Sequence, residues 1–380
     1  MTTARARPTP APPPARLPGS LPGPAADPCL FLIAPASLAG WFSDFVEWRD
    51  DDDILHLGED IETRTDLAGI RRALTGNGVC RTAVLLSSHD TLRRDRALAD
   101  ALLAAGHAVV SQSTRAVRLG SDKVAMKAFF DRHGFRTPPW RHPTGGTLPG
   151  TARPARVVVK RRNGTQSTGT RLADHPAIHP ARDEFCELYQ DGVEYSVVVH
   201  RHRGHTITFP PVWKGATSPR LVPPWRRLRL CPAPDLPAGR ERLLRRTSAT
   251  LAEAADIDGH LEVEFLLSDP GEPYLLEINP RVSGTLRIVA LASGLPVFSL
   301  HRGSYPEWVP ATRYAAEVPY DGTPFRSPAG GAFATSRLTV TGASPQQVRD
   351  RLLRHGADRT WVDGPLWTQD TIRISPGERG

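Results

Sequence analysis

Two short, largely apolar runs lie in the second half of the chain, and the first of them alternates along the strand with a period of two. The first run covers residues 263–268, and the second, at 274–278, resumes after turn residues at 269–271. This pattern predicts a β-hairpin. Because side chains two residues apart share one face of a strand, Glu277 and Asn279 point the same way.

The hairpin carries charged residues where an apolar strand does not favour them. An unpaired carboxylate buried in such a strand costs several kcal/mol, so Glu264 and Glu277 need partners. Two carboxylates and the Asn279 amide oxygen are hard oxygen ligands of the kind that Mg²⁺ prefers, and Arg281 lies just beyond them. The alternatives are a buried salt bridge between Glu277 and Arg281, or a carboxylate bonded to backbone N–H donors.

The first third of the chain alternates strands with a helix. Short apolar strands are predicted at residues 29–35, 82–88 and 107–111, with a helix through 92–103 between the last two. This order is typical of a small parallel-sheet α/β domain. The acidic run at 50–53 is interpreted as a solvated turn, with a metal cluster as the alternative. Residues 57–80 support no firm prediction.

A second unit begins with a helix that Ser121 is predicted to cap and Gly134 to end. A loop at 143–154 leads to a strand at 156–160, and the following Gly/Ser/Thr-rich loop ends at residue 170. Its backbone and hydroxyl groups are suited to surround phosphates, although such loops are commonly only flexible turns. Further elements are a strand in 187–199 with a return at 206–209, a helix at 239–256, a strand at 336–341, and a helix between Ser344 and Gly356.

Some segments are open to more than one interpretation. His200, His202 and His205 crowd the predicted hairpin at 200–206, where they form either a metal site or a polar strand end. Residues 211–235 are treated as a loop that shapes an acceptor pocket.

Composition narrows the class of protein. The chain has 380 residues, 39% of them hydrophobic and 23% charged, and a net charge of +8. Its arginines are dispersed as pairs and it has four lysines and 37 prolines, which favours anionic small molecules over nucleic acid as ligands. Four distant cysteines and the lack of a long apolar stretch favour a cytoplasmic protein with no membrane span. Residues 1–28 are expected to be a disordered Pro-rich tail.

Taken in order, these motifs resemble the ATP-grasp superfamily. The segment from Asp122-Lys123 to Thr137-Pro138 looks like the start of the first ATP-grasp subdomain of D-alanine ligases. Residues 159–170 look like the phosphate-binding lysine with its flexible loop. The run Glu187 to Glu194 is similar to the segment that links the subdomains, and the run from Glu277 to Ser283, EINPRVS, is nearly the form found in carbamoyl-phosphate synthetases. One departure is Arg161-Arg162, where family members commonly have proline or a small residue after the lysine.

The resemblance implies a role for each matching residue. Lys160 meets phosphates, Lys123 is the second phosphate lysine with Lys127 as the alternative, Glu194 holds the ribose, and Glu187 is a hinge residue on the adenine side. Arg281 meets the transferred phosphoryl group or the substrate carboxylate. The implied catalytic residues are Arg281 and Lys160. The implied nucleotide-binding residues are Lys123, Lys160, Gly164, Ser167, Thr168, Gly169, Glu187, Tyr189, Gln190 and Glu194, and the metal ligands are Glu264, Glu277 and Asn279.

The resemblance also implies a fold of mixed α/β and α+β class. A Rossmann-like preATP-grasp domain with a parallel sheet at 29–120 precedes a two-subdomain ATP-grasp fold at 121–300 (121–192 and 193–300) and a C-terminal extension at 301–380. The implied activity is an ATP- and Mg²⁺- (or Mn²⁺-) dependent ligase that couples a carboxylate to an amine through an acyl phosphate, with amino acids as expected substrates. A kinase, a carboxylase-like enzyme and a silent nucleotide-binding module are the alternatives, and a homodimer is compatible with the sequence.

Overall fold

The computed structural model describes residues 27–34, 38, 40–57, 67–142, 156–164, 167, 169–174, 180–222, 227–234, 236–268, 272–320, 337–357 and 359. Several predictions fall on residues outside these ranges. They are the tail up to residue 26, the loop at 143–154, the turn at 269–271, and Thr168. Within the described residues, no helix is both long and apolar enough to cross a bilayer.

The N-terminal unit is the predicted parallel-sheet α/β arrangement. Its strands are β1 (Cys29–Ile33), β2 (Asp53–His56), β3 (Thr82–Leu86) and β4 (Val109–Val110) in the order β2-β1-β3-β4, all parallel. Helices α1 (Leu67–Thr75) and α2 (Leu92–Ala104) connect them. Helix α1 falls within residues 57–80, where the sequence supports no firm prediction. Strand β2 was not predicted, because it is short and half exposed and its pattern is weak.

The acidic run at 50–53 is a solvated turn, as predicted, except at one residue. Asp50, Asp51 and Asp53 are exposed, as a solvated turn requires. Asp52 is instead buried, and it accepts hydrogen bonds from the Cys29 backbone N–H (2.8 Å) and from the Arg302 guanidinium. The run therefore contains a buried ion pair that ties the N-terminal sheet to the segment Val297–Arg302.

Two helices follow, and the boundary between them corrects a prediction. Helix α3 spans Thr114–Ser121 and α4 spans Lys123–Arg132. Ser121 ends α3, and the N-cap of α4 is Asp122, whose carboxylate accepts the N–H groups of Val124 (3.0 Å) and Ala125 (3.1 Å). A carboxylate at this position satisfies the free N–H groups and complements the helix dipole. Gly134 lies just past the helix with φ of +71°, as predicted for its end.

A small antiparallel sheet forms the first half of the central cleft. It consists of β5 (Trp140–Arg141), β6 (Arg156–Arg161), β7 (Arg171–Asp174) and β8 (Glu184–Leu188) in the order β5-β8-β6-β7. Strand β6 confirms the predicted strand that ends at Lys160.

A larger sheet forms the second half. Its eight strands are β9 (Val193–His202), β10 (His205–Thr208), β11 (Val212–Ala216), β12 (Arg229–Cys231), β13 (Gly259–Leu267), β14 (Tyr274–Asn279), β15 (Tyr314–Pro319) and β16 (Arg337–Gly342). The order is β14-β13-β9-β11-β12-β15-β16, with β10 paired to β9. The segment 211–235 is thus not simply a loop, since it contributes β11 and β12. Strands β15 and β16, from the predicted C-terminal extension, extend the same sheet.

Helices cover the apolar sides of these sheets. Helix α5 (Ala238–Ala254) and α4 pack on β9, β13 and β14, and their core includes Phe130, Val197, Leu251 and Phe265. Helix α6 (Leu286–Ser293) follows the β13–β14 hairpin, and α7 (Pro345–Arg354) packs on β16, with Ser344 as its N-cap. A further core joins the N-terminal sheet to the large sheet through Phe31, Val198 and Phe298. The β13–β14 hairpin is therefore held on one side by β9, which pairs with β13, and is covered by α4, which contacts β14.

Candidate active site

The β13–β14 hairpin brings the predicted metal ligands together. Glu264 pairs directly with Glu277 in the antiparallel register, and a bulge follows Glu264. The Asn279 side-chain amide lies 3.4 Å from a Glu264 oxygen, and Arg281 donates to the Asn279 carbonyl oxygen at 2.9 Å. Since Arg281 pairs with Asn279 and not with Glu277, the alternative of a Glu277 to Arg281 salt bridge is wrong.

The donor set fits Mg²⁺. Two carboxylates and one amide face each other across adjacent strands, and hard oxygens of this kind hold Mg²⁺ together with substrate phosphates and water. Within the described part of the chain, no three His, Cys, Asp or Glu side chains converge to hold a metal by themselves. Glu264, Glu277 and Asn279 would hold such an ion together with phosphate oxygens.

Each of the two carboxylates contacts a lysine. Lys123, at the start of α4, forms an ion pair with Glu277. Lys214, on β11, lies 2.8 Å from Glu264 and 3.6 Å from Glu262. Burial raises the pKa of Glu264, but the attraction of Lys214 outweighs it and lowers that pKa to about 2, so the carboxylate is ionised as a metal ligand requires.

A second ion-pair group lies under the predicted phosphate lysine. Glu187, on β8, contacts Lys160 on the neighbouring β6 and lies 2.8 Å from Lys127. Burial opposes ionisation of Glu187, but the two ammonium groups outweigh it and lower its pKa to about 2. Burial likewise works against the charge on Lys160, yet Glu187 raises its pKa. The Glu187 side chain thus positions Lys160.

The choice between Lys123 and Lys127 has a structural basis. The Lys127 side chain is 0% exposed and also donates to the Thr137 hydroxyl at 2.5 Å. It lies inside the fold, whereas Lys123 lies beside Glu277 at the cleft. The assignment of Lys123 to the phosphates remains a prediction that this placement supports.

The Gly-rich loop is attached to the same helix. Arg162 donates two hydrogen bonds to Asp122, the N-cap of α4, at 2.9 and 2.6 Å, and its carbonyl accepts the Lys123 N–H at 2.9 Å. Gly169 has φ of +72° and packs against the Arg161 side chain, where a Cβ would come within 2.9 Å. The unusual Arg161-Arg162 pair therefore couples this loop to Lys123. Gly164 and Ser167 lie in the same loop, and Ser167 also has a positive φ, of 60°.

The predicted ribose residue lies just after the connection between the two sheets. Tyr189 and Gln190 lie in the connection between β8 and β9, and the Tyr189 N–H donates to the Arg156 carbonyl at 2.9 Å. Glu194 follows on β9, where its carboxylate lies 2.7 Å from Arg227. The roles of these residues with nucleotide remain predictions.

Sequence reasoning missed two residues of the site. His89, in the turn after β3, is close enough to Arg281, Lys123 and Glu277 for their charges to affect it; burial and the Arg281 charge lower its pKa. The backbone of the same turn is bonded to the site loop, since the Val282 N–H donates to the Ser87 carbonyl at 3.2 Å. The other missed residue is Lys214.

Lysine usage was a signal that could have identified Lys214. The sequence has 48 basic Lys and Arg residues, and only positions 123, 127, 160 and 214 are lysine. All four are paired with glutamates of the site. Lysine is a compact point charge on a flexible stem, and arginine is a planar fork, so the two are not interchangeable at phosphate or buried carboxylate sites. The few lysines of an arginine-rich chain therefore indicate where such a site lies.

A further group of buried charged residues lies on the large sheet. Arg229 on β12 and Arg337 on β16 both contact Glu317 on β15, at 3.4 and 3.2 Å, and all three are buried. Arg229 also donates to the Gly284 carbonyl at 2.8 Å. The loop after the hairpin, which leads from Arg281 to α6, is therefore held against this group.

The fold and the site together define a protein in which two antiparallel sheets border a cleft lined by lysines and carboxylates. A family model described as ATP-grasp domain matches residues 120–285. This segment holds Lys123, Lys160, Glu264, Glu277 and Arg281. Residues 120–285 thus match the ATP-grasp family, as the motifs of this segment predicted.

Curated relatives are carbamoyl-phosphate synthases. The enzyme of Methanobrevibacter smithii is 28% identical over 195 residues, covering 49% of this chain and 53% of the relative. The large chain from Thermomicrobium roseum is 27% identical over 219 residues, covering 53% of this chain and 20% of the relative. This chain thus matches about half of the first relative and a fifth of the second.

Similar solved structures cover nearly the whole chain. A biotin carboxylase complex with β,γ-ATP from Campylobacter jejuni has a TM-score of 0.66 at 14% identity, covering 90% of both chains. An L-amino acid ligase from Bacillus licheniformis has a TM-score of 0.63 at 13% identity, covering 86% of this chain and 96% of the other. At these identities the likeness shows the shared fold.

Proposed function

We propose that the protein is an ATP-dependent ligase that activates a substrate carboxylate as an acyl phosphate and joins it to an amine, releasing ADP and phosphate. One observation carries the proposal: Lys123 and Lys160 lie in the same charged cleft as Glu264, Glu277 and Asn279, with Arg281 bonded to Asn279 at 2.9 Å. An L-amino acid ligase with the same fold supports the amide-forming version.

The residues divide the work between holding the nucleotide and receiving the acceptor. Lys123 and Lys160 bind phosphate oxygens, and their glutamate partners keep both ammonium groups in place. Glu264, Glu277 and Asn279 would hold Mg²⁺, which when bound would supply positive charge that neutralises the phosphates during in-line transfer. Arg281 binds the carboxylate and then the acyl phosphate. Positioning and charge neutralisation are sufficient, because an acyl phosphate is already a strong electrophile.

The test is phosphate release from ATP in the presence of amino acids, singly and in pairs, with product masses read for the loss of water. Glu277→Gln removes a metal ligand charge and is expected to reduce turnover at least about 100-fold. Glu272→Gln is the matched control, since Glu272 is exposed and lies two residues before β14 of the same hairpin. Unchanged phosphate release by Glu277→Gln would disprove the assignment.

A second candidate is a carboxylase-type reaction, in which bicarbonate replaces the organic carboxylate. The observation in its favour is the likeness to proteins named carbamoyl-phosphate synthase and biotin carboxylase. Phosphate release that requires bicarbonate and no organic carboxylate would select this candidate. Release that is independent of bicarbonate and requires an organic acid selects the ligase.

A further inference from the structure

A buried lysine contacts one of the proposed metal ligands from a strand that is not its neighbour in the sheet. Lys214 lies on β11 and Glu264 lies on β13, with β9 between the two strands. The Lys214 ammonium nitrogen nonetheless lies 2.8 Å from a Glu264 oxygen and 3.6 Å from a Glu262 oxygen. The Lys214 side chain is 4% exposed, so its charge cannot turn to solvent and is a fixed part of the site.

A β-bulge sets the direction of this lysine. In the pairing of β11 with β9, Trp213 and Gly215 are opposite consecutive residues of β9, so Lys214 is the extra residue between them. Gly215 has φ of +97°, a value that residues with a side chain rarely adopt. β-Bulges are common next to active sites, where they re-aim a side chain. The irregularity of β11 therefore lies at the residue that contacts Glu264.

The intervening strand carries a small residue at the matching position. Ser196 of β9 is opposite Glu264 on one side and opposite Val212 on the other. It is 0% exposed, and its hydroxyl has no hydrogen-bond partner among the described residues. A larger side chain at this position would narrow the space between Lys214 and Glu264. Serine is therefore compatible with the reach of the lysine across β9.

The second partner of Lys214 belongs to a chain of contacts that leads toward Arg281. Glu262 accepts a hydrogen bond from the Thr285 hydroxyl at 2.8 Å, and the Ser283 hydroxyl lies 3.2 Å from that of Thr285. These two hydroxyl residues lie in the segment between Arg281 and α6. Lys214 thus contacts one carboxylate of the metal-ligand set and another that holds the segment after Arg281.

The charges of this group give the lysine a defined task. Glu262 and Glu264 are two residues apart on β13 and share one face of the strand, so their charges repel each other. Lys214 lies within 3.6 Å of both and offsets this repulsion. The partners of a metal-binding side chain orient it, and losing one typically weakens metal binding ~10–100-fold. The ammonium group contacts Glu264 as such a partner does.

We propose that Lys214 is a positioning residue of the metal site, which holds Glu264 in the orientation that binds Mg²⁺ and links it to the segment after Arg281. Lys214 acts through Glu264 and does not contact phosphate. The inference rests on the proposed function for the identity of the metal ligands. It assigns a role to the lysine that the phosphate-binding residues leave unused.

The experiment measures how much a metal ion strengthens nucleotide binding. The affinity of the full chain for a non-hydrolysable ATP analogue is determined by calorimetry, once with Mn²⁺ and once with EDTA, and the ratio of the two affinities is the metal-dependent gain. The test variant is the double change Lys214→Met with Glu262→Gln. It removes one positive and one negative charge, so the net charge of the group is unchanged and Glu262 is not left as a buried carboxylate without a cation. The double variant is expected to lose about tenfold or more of the gain and to bind the analogue in EDTA as the wild type does.

Three further variants separate positioning from charge and from stability. Glu262→Gln alone keeps the contact between Lys214 and Glu264 and is expected to retain most of the metal-dependent gain. Lys214→Gln can still donate a hydrogen bond to Glu264, so it is expected to lose less of the gain than the double variant. Arg245→Met removes another buried cation, which pairs with Glu241 at 2.8 Å on α5. It is expected to lower the midpoint of urea unfolding and to leave the gain unchanged.

The outcomes distinguish this inference from the proposed function. A full metal-dependent gain in the double variant would overturn the role of Lys214, because the lysine would then only balance charge. Equal losses of affinity in Mn²⁺ and in EDTA would also overturn it, since the lysine would then act on the nucleotide or the fold. If Mn²⁺ does not strengthen binding to the wild type, the metal ligands are refuted and the inference with them. A gain that depends on Lys214, without phosphate release for any pair of acid and amine, would support the inference and refute the ligase.

Discussion

The buried group of Glu187 with its two lysines supports a stability prediction that does not depend on the substrate. The change is Glu187→Gln, which removes the negative charge between Lys127 and Lys160 and keeps the shape of the side chain. Glu187 is 4% exposed and Lys127 is 0% exposed, so neither charge can turn to solvent. After the change, Lys127 has lost its ionic partner and is left with neutral acceptors, among them the Thr137 hydroxyl and the Leu275 carbonyl at 2.5 and 3.5 Å.

Removing one partner of a buried ion pair costs ~3–5 kcal/mol, because the other charge stays buried. We expect Glu187→Gln to lower the free energy of unfolding by about that amount. Lys160 contributes less, since its side chain is 21% exposed and can reach water. Adding Lys127→Met removes the remaining buried charge, and the double variant is expected to regain at least about 2 kcal/mol relative to Glu187→Gln alone.

The assay is urea unfolding at pH 7, followed by tryptophan fluorescence, with slopes compared so that only changes in midpoint are read as stability. Glu184→Gln is the matched control, because Glu184 lies on the same strand and pairs with the half-exposed Arg171. That pair is expected to contribute only ~1 kcal/mol. The reasoning is refuted if Glu187→Gln unfolds at the wild-type midpoint, or if the double variant is no more stable than the single one.

Two further predictions concern stability. Asp52→Asn is expected to cost about 3 kcal/mol or more in urea unfolding, since it leaves the Arg302 charge buried, whereas Asp51→Asn at the exposed neighbouring position should have little effect; equal effects would contradict the ion pair. Burial lowers the pKa of His260 from 6.5 to about 4, so below pH 6.5 this histidine binds a proton in the unfolded chain but not in the folded chain. Stability is therefore complete above pH 6.5 and is expected to fall by about 3 kcal/mol from this histidine alone by pH 4, a slope that His260→Phe should reduce.

The hairpin was predictable because its information is local. The alternation of residues 263–268 and the apolar run at 274–278 after a turn predicted both strands, and the period of two placed Glu277 and Asn279 on one face. The paired register of Glu264 and Glu277 then followed from the antiparallel arrangement. Lys160 was also predictable, because a strand that runs into a Gly-rich loop positions the residue at their junction.

Other features depend on contacts between distant parts of the chain. From the sequence alone, Asp52 is interpreted as part of a solvated acidic turn. In the fold it pairs with Arg302, which lies 250 residues away in the chain. Lys214 lay in a segment without clear periodicity, because β11 is five residues long and contains a glycine with positive φ. The helix start was misplaced by one residue, since Ser121 and Asp122 are both good caps and only the fold shows that α3 ends where α4 begins.

The role of the Glu187 side chain is a similar case. Its position before the link between the two sheets suggested contact with the nucleotide base. Its side chain contacts Lys127 and Lys160, because the pleat of β8 places it on the same face of the sheet as Lys160 of β6, and its adenine-side role remains a prediction. Sequence position identified the strand correctly, and strand pairing decided which partners the carboxylate met.

Transfer of oxygen from the carboxylate to phosphate tests the central claim most directly. A carboxylate substrate labelled with ¹⁸O in both oxygens is incubated with ATP, Mg²⁺ and the amine, and the released phosphate is analysed by mass spectrometry. If Arg281 and the metal ligands promote formation of an acyl phosphate, each turnover places one ¹⁸O atom in phosphate and leaves one in the amide. Formation of the amide with unlabelled phosphate, or with AMP and pyrophosphate, would contradict the account.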